Sequence, residues 1–242
     1  ADSNVYVSLS EGYKAGGYAT YECTEPYDPE EVTSLELGFK GSIGEGTSVN
    51  ASLFRYDYTD FQVLQVVGIQ TVTKNAGDAT VNGLEIEALS NVNDSLSINY
   101  GLTLLDATYG EFLNINGIQP ELGDQQLDGN YLTNAPKVSI NLGLNYTSAM
   151  SSGASLTYRA NAAYKSRIYF SEFNEYSQDA YTILDLNLIW ESADETMRSR
   201  FFVKNATDED YIAGYLSSAT GGGRFGQWGY PRTVGIEIQR NF

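Results

Sequence analysis

The chain has 242 residues with 31 acidic and 14 basic side chains, a formal net charge of −17. A polyanion would be repelled by that balance, which excludes nucleic acid as a partner. With no His and a single Cys, Cys23, the sequence also excludes Ser-His and Cys-His nucleophile pairs, imidazole zinc sites and an internal disulfide.

Ten segments carry strand patterns in chain order, at about 4–13, 33–43, 47–66, 70–90, 95–109, 134–146, 153–168, 178–191, 197–216 and 229–242. The 19 Tyr against 5 Pro agree, because aromatic side chains suit a pleated surface. In the third segment, "SVNASLFRYDYTDF", the parity of Val49, Ala51 and Leu53 also takes in Arg55 and Asp57. If that face meets lipid, two charges there cost several kcal/mol. A β-bulge at Leu53–Phe54 is therefore predicted, turning Phe54, Tyr56 and Tyr58 outward and Arg55 and Asp57 inward. Later segments alternate cleanly. In the fifth, Leu96, Ile98, Tyr100, Leu102 and Leu104 oppose Ser97, Asn99, Gly101 and Thr103. In the sixth, Val138, Ile140, Leu142, Leu144 and Tyr146 oppose Ser139, Asn141, Gly143 and Asn145. The seventh sets Leu156, Tyr158, Ala160, Ala162 and Tyr164 against Thr157, Arg159, Asn161 and Ala163. The eighth sets Leu184, Leu186, Leu188 and Trp190 against Ile183, Asp185, Asn187 and Ile189. The last puts Val234, Ile236, Ile238 and Phe242 on one face.

The connections alternate too. "SIGEGTS", "SNVNDS", "TSAMSSG" and "ESADET", after the second, fourth, sixth and eighth segments, are short and rich in turn formers. Longer ones follow the first, fifth, seventh and ninth, at about 14–32, 110–133, 169–177 and 217–228. The connection after the third, near Val67–Ile69, is expected to be short and breaks the alternation.

Period-two patterning fits a soluble β-sandwich or a membrane β-barrel. Three features favour the barrel. Several strands reach the 9–11 residues that cross a bilayer at a tilt. Short and long connections segregate. Aromatics sit at strand ends (Tyr13, Tyr100, Tyr109, Tyr146, Tyr164, Trp190, Tyr230 and Phe242), as in an interfacial girdle. No run of about 18 apolar residues provides a transmembrane helix. The opening "ADSNVYVSLS" lacks the basic start and apolar core of a signal peptide, so for an exported protein a mature form or a fragment is expected.

The order of local motifs resembles the C-terminal half of TonB-dependent outer-membrane receptors. The matching stretches are "SEGYKAGGY" at 10–18, "YDPEEVTSLELGFKG" at 27–41, "FRYDYTDFQV" at 54–63 and "KNAGDATVNGLEIEA" at 74–88. They continue with "NAPK" at 134–137, "VKNATDEDY" at 203–211 and "YPRTVGIEIQRNF" at 230–242. The resemblance implies an all-β fold: an antiparallel transmembrane β-barrel segment, about ten strands of a 22-stranded up-and-down barrel. It implies that 1–242 form the C-terminal part of that barrel, without the plug domain and the N-terminal strands. It implies a terminal aromatic, Phe242, read as an assembly signal by the barrel-assembly machinery. The implied partners are outer-membrane lipid and lipopolysaccharide, the energy transducer TonB through the missing N-terminal part, and an extracellular ligand such as a siderophore. An open sheet alone would leave two unpaired edges in lipid, so it must pair with further strands or close on itself.

No catalytic constellation is present, and neither enzymatic activity nor a cofactor is expected. "TGGGRFG" at 220–226 lacks the Lys-Ser/Thr ending of a phosphate loop. The acidic clusters "DPEE" at 28–31 and "DEDY" at 208–211 lack calcium-loop spacing, so no metal site is assigned. Mixed charges, Glu36, Lys40, Glu85, Glu87, Arg159, Asp185, Arg200, Lys204 and Glu237, fall on the polar face and are expected to pair across strands. By the resemblance, ligand contacts come from external loops, whose candidates are Tyr18, Tyr21, Phe112, Tyr169, Phe170, Phe173, Arg224 and Trp228. The expected function is energy-coupled uptake of a scarce nutrient such as a ferric siderophore. A passive or structural barrel and a soluble β-sandwich binding protein are the alternatives.

Overall fold

The computed structural model describes residues 3–19, 22–67, 70–218 and 223–241. Ten strands form one antiparallel sheet in sequential order. They are β1 (Asn4–Lys14), β2 (Glu30–Ser42), β3 (Thr47–Thr59), β4 (Ala79–Asn91) and β5 (Leu96–Tyr109). The rest are β6 (Val138–Ala149), β7 (Ser155–Lys165), β8 (Tyr181–Glu191), β9 (Met197–Lys204) and β10 (Thr233–Arg240). Among the described residues, no ladder joins β1 to β10, so each keeps one unpaired edge.

The register sorts side chains by chemistry. Residues directly opposite one another share a face. One continuous row runs Leu53, Leu84, Leu104 and Val138 across β3 to β6. Another runs Ile98, Leu144, Ala160, Leu186, Val203 and Val234 across β5 to β10. These rows make an apolar belt, and its members are exposed: Leu9 at 72%, Leu53 at 57% and Ile236 at 70%. A soluble sandwich would cover such a face, whereas a membrane wall presents it to lipid. The opposite face carries every charge expected there. Arg200 faces Glu237 at 3.6 Å and donates from Nε to Asn187 Oδ1 at 2.8 Å. Tyr6 donates its hydroxyl to Glu36.

Glycine has a specific use on this polar face. Gly83 lies opposite Phe54, and the Phe54 ring lies over it, where any Cβ would collide with the ring. Gly38 receives Tyr6 and Gly235 receives Phe202 in the same way. Each aromatic thus covers the bare backbone of the adjacent strand, the pairing known as aromatic rescue.

Two expectations are corrected. No bulge interrupts β3: the ladder steps evenly through Leu37–Leu53, Leu35–Arg55 and Thr33–Asp57. Arg55 and Asp57 therefore lie on the belt face, and Phe54, Tyr56 and Tyr58 on the polar face. The charges are accommodated by each other. Arg55 donates to both carboxylate oxygens of Asp57, at 2.8 and 2.7 Å, and to Asn82 Oδ1 at 3.4 Å. Next to them in the same rows stand Asn82 and Asp106, one step beyond Leu84 and Leu104. On β3 the apolar belt thus ends at Leu53 and the strand continues past it as a polar extension, while Leu35 and Leu9 keep the row of Arg55 apolar on β2 and β1.

The connection after β3 is also long. The chain leaves β3 at Asp60, whose φ is +52°. Gln62–Val67 and Gln70–Asn75 then pair as a separate two-stranded ribbon. Every connection now alternates. Tight turns at 43–46, 92–95, 150–154 and 192–196 form one rim. Long loops at 15–29, 60–78, 110–137, 166–180 and 205–232 form the other.

Candidate functional site

The long loops bond to their neighbours along the rim. Gln62, 9% exposed, donates from Nε2 to the carbonyls of Ala15 at 3.1 Å and Asp28 at 3.0 Å. Its own N–H donates to Glu30 Oε2 at 2.7 Å. Asn75 completes the junction, accepting from Asp28 N–H at 2.7 Å and donating to the carbonyls of Asp28 and Asp60. Loops 15–29 and 60–78 are thereby locked together.

The next junction is apolar. Ala76, Tyr109, Phe112 and Leu127 form a buried cluster, packed by Phe61, Val63, Leu132 and Phe173. It unites loops 60–78, 110–137 and 166–180. Amides reinforce the third junction: Asn114 Nδ2 donates to Glu172 Oε1 at 3.2 Å and Asn116 Nδ2 to Glu175 Oε2 at 3.1 Å. Asn174 Oδ1 accepts from Tyr131 N–H at 2.7 Å. Burial raises the Glu172 carboxyl above its ordinary range, helped by the nearby Glu175 charge. At the fourth junction, Gln178 Oε1 accepts from Ile212 N–H at 2.8 Å. Within loop 205–232, Asn205 donates to the carbonyls of Glu209 and Tyr230 and accepts from Glu209 N–H. Asp208 accepts from the N–H and guanidinium of Arg232.

Stacked aromatics decorate this collar. Phe170 and Tyr176 of one loop both stack on Tyr215 of the next, at ring separations of 5.9 and 5.2 Å. Tyr169 stacks on Tyr131 at 5.8 Å, and Lys137 Nζ lies 4.0 Å from the centre of the Tyr131 ring. Tyr181 stacks on Tyr211 at 4.7 Å. Flat aromatic groups with a cation over one ring can hold a planar or conjugated ligand by stacking and by cation–π attraction.

The sequence candidates divide accordingly. Tyr169 and Phe170 belong to these stacks. Tyr18 and Trp228 are exposed on their hairpins, at 62% and 68%. Phe112 lies in the buried cluster at 4% exposure, with Phe173 packed against it, so both rings hold the collar together. Arg224 stands opposite Ser217 in the ribbon of Ile212–Ser218 and Gly223–Trp228, with its side chain outside the described set. Tyr21 and Phe242 lie outside the described residues. Sequence reasoning passed over Tyr131, Tyr176, Tyr211 and Tyr215, whose only advance signal was the abundance of Tyr. The acidic clusters also have a role, since Glu30 at the start of β2 accepts from loop 60–78 and Asp208 ties together the two ends of loop 205–232. Among the described residues, no group of three potential metal ligands converges.

Three solved receptors share the fold. The ferric yersiniabactin uptake receptor FyuA of Yersinia pestis matches with a TM-score of 0.82 at 23% identity, over 100% of this chain and 35% of that one. The siderophore receptor PiuA of Acinetobacter baumannii matches with 0.76 at 19%, over 98% of this chain and 33% of that one. BauA, the ferric preacinetobactin receptor of the same organism, gives 0.72 at 21%, over 98% and 34%. The chain thus spans about a third of the length of the receptors it matches. The model of the TonB-dependent receptor-like β-barrel matches residues 1–206. With its sequential antiparallel sheet and segregated rims, the chain belongs to the TonB-dependent receptor family, as part of its β-barrel.

Proposed function

We propose that this chain is the C-terminal portion of the barrel of an outer-membrane receptor in a Gram-negative bacterium. The complete protein, with a plug domain and the preceding strands, takes up a ferric siderophore or a similar large ligand. Uptake is driven by TonB acting through the part of the protein outside this chain. The apolar belt contacts outer-membrane lipid, the loop rim lies outside the cell beside lipopolysaccharide, and the tight turns face the periplasm. Phe242 serves the barrel-assembly machinery.

The observation that carries this reading is the collar. A passive pore needs no series of amide and apolar junctions joining five loops, and no stacked aromatics bridging two of them. A receptor does, because a preorganised site loses less conformational freedom when ligand binds. Of the solved receptors with the same fold, one is a siderophore receptor and two are receptors for ferric yersiniabactin and ferric preacinetobactin, which supports a ferric siderophore over other cargo. Ligand contacts are assigned to Tyr18, Tyr21, Tyr169, Phe170, Arg224 and Trp228, joined by Tyr176 and Tyr215.

Binding by the complete receptor, followed through quenching of its Trp and Tyr fluorescence, tests the proposal. A panel of catecholate, hydroxamate and phenolate ferric siderophores is titrated alongside a corrinoid. One ferric class is expected to bind, more weakly after Phe170→Ala with Tyr215→Ala. A protein that binds none of them and conducts ions as an open pore in planar bilayers is the passive barrel instead.

A further inference from the structure

The aromatic group that bridges loops 166–180 and 205–232 has a charged neighbour. Phe170 and Tyr176 both stack on Tyr215, each with 16° between the ring planes. The Tyr215 hydroxyl is buried and has no hydrogen-bond partner among the described residues. Buried hydroxyls are almost always bonded, so this oxygen is an acceptor held ready for a donor. Glu175, one residue before Tyr176, is exposed, and its Oε2 accepts from Asn116 at 3.1 Å, which leaves Oε1 for a further donor. Its charge reaches the stack: burial raises the Tyr215 phenol first, and Glu175 raises it further. Glu172, on the same loop, feels that charge as well.

The surrounding charge has mainly one sign. Loops 110–137, 166–180 and 205–232 carry four, three and three carboxylates, against four cations in all. Three of those cations are engaged. Lys137 donates to the Tyr131 hydroxyl, Arg167 pairs with Asp179 at 2.7 Å and Arg232 with Asp208 at 3.2 Å. The fourth, Arg224, lies two places along the ribbon from Gly226, the partner of Tyr215.

We propose that the stack and Glu175 select a cationic cargo, a ferric tris-hydroxamate siderophore with a pendant ammonium group. Three hydroxamates neutralise iron(III), so the ammonium leaves the complex positively charged. A ferric tris-catecholate keeps a triple negative charge and would be repelled by Glu172 and Glu175. The ammonium has three donors and no acceptor, which suits Glu175 Oε1 and the Tyr215 oxygen, and its charge is attracted to the faces of the neighbouring rings. This inference rests on the uptake reading above and names the charge class of the cargo.

Fluorescence titration of the complete receptor with three ferric complexes tests it: a linear tris-hydroxamate with a terminal amine, the same molecule N-acetylated, and a tris-catecholate. Acetylation removes the ammonium and leaves the iron centre unchanged. The amine form is expected to bind about tenfold more tightly than the acetylated form, with the tris-catecholate the weakest of the three. Glu175→Gln keeps an acceptor for Asn116 and removes the charge, so it should weaken the amine form alone, again by about tenfold. Glu121→Gln removes an equal charge from the exposed 3-10 turn Pro120–Leu122 and should change neither affinity. The inference is overturned if acetylation costs no affinity, if Glu175→Gln weakens both forms alike, or if Glu121→Gln acts as Glu175→Gln does. Tightest binding of the tris-catecholate also overturns it, and loss of that binding in Arg224→Ala would assign the selection to Arg224. A receptor that takes only another class of ferric siderophore overturns this inference alone, whereas one that binds no ferric siderophore sinks the uptake reading with it.

Discussion

Asn205 shows what a single amide does here. Its φ is +47°, a region Asn tolerates, and its side chain makes three hydrogen bonds to the backbone of loop 205–232. It joins two motifs that are far apart in sequence, "VKNATDEDY" and "YPRTVGIEIQRNF". Gln62 and Asn75 join "YDPEEV", "FRYDYTDFQV" and "KNAGDATVNG" in the same manner. The motifs were legible in the sequence and their purpose was not, because each partner is a backbone atom that any residue could supply. Asn205→Ala should cost about 1–3 kcal/mol for each buried group left unpaired. Asn205→Gly, which relieves the backbone, separates that loss from strain. Urea unfolding of the detergent-solubilised receptor measures both. Glu172 gives a pH test. Its folded pKa is raised, by burial first, so its contribution is full below the ordinary carboxyl value and declines as pH rises through the folded value. After correction for intrinsic exchange rates, amide hydrogens of loop 110–137 should be better protected at acidic than at neutral pH. Glu172→Gln should flatten that dependence, and an unchanged slope in this variant would remove Glu172 from the account.

At the scale of the strand, period two decided most of the fold. β5 and β6 were readable because their polar-face residues are Ser, Asn, Gly and Thr and their belt residues long, and β7 and β8 because Tyr158, Tyr164 and a run of alternate leucines keep one parity apolar. Leu142 and Asn141, adjacent on β6, make the test: Leu142→Arg should impair insertion by about 2–4 kcal/mol and Asn141→Arg by less. Folding yield into vesicles, read by heat-modifiable gel migration, gives the comparison, and equal yields would deny that the belt meets lipid. β3 was misread for a local reason. Arg55 satisfies Asp57 two residues away on its own strand, so no bulge was needed to hide either charge. The ribbon after β3 was misread because "QVLQVV" and "QTVTKN" alternate as wall strands do. Periodicity reports a β-ribbon and does not say whether the ribbon lies in the wall or above it. Asp60, at φ +52°, is where the two part.

The whole molecule is a sheet with two open edges, β1 and β10, among the described residues. Backbone groups left unpaired in lipid cost several kcal/mol each, so the proposed membrane setting requires both edges to be paired. The ten-stranded antiparallel sheet was legible from strand count and pattern. The proposed binding surface was not, because Phe170, Tyr176 and Tyr215 meet only when loops 166–180 and 205–232 are folded onto each other. The central claim is that these loops receive a ferric siderophore for energy-coupled uptake. Accumulation of an iron-55-labelled ferric siderophore by iron-starved cells carrying the complete receptor tests it most directly. The account predicts uptake that needs both the receptor and a working TonB and falls after Phe170→Ala with Tyr215→Ala. Receptor-dependent uptake that continues unchanged without TonB, or no receptor-dependent uptake of any ferric siderophore, would contradict it.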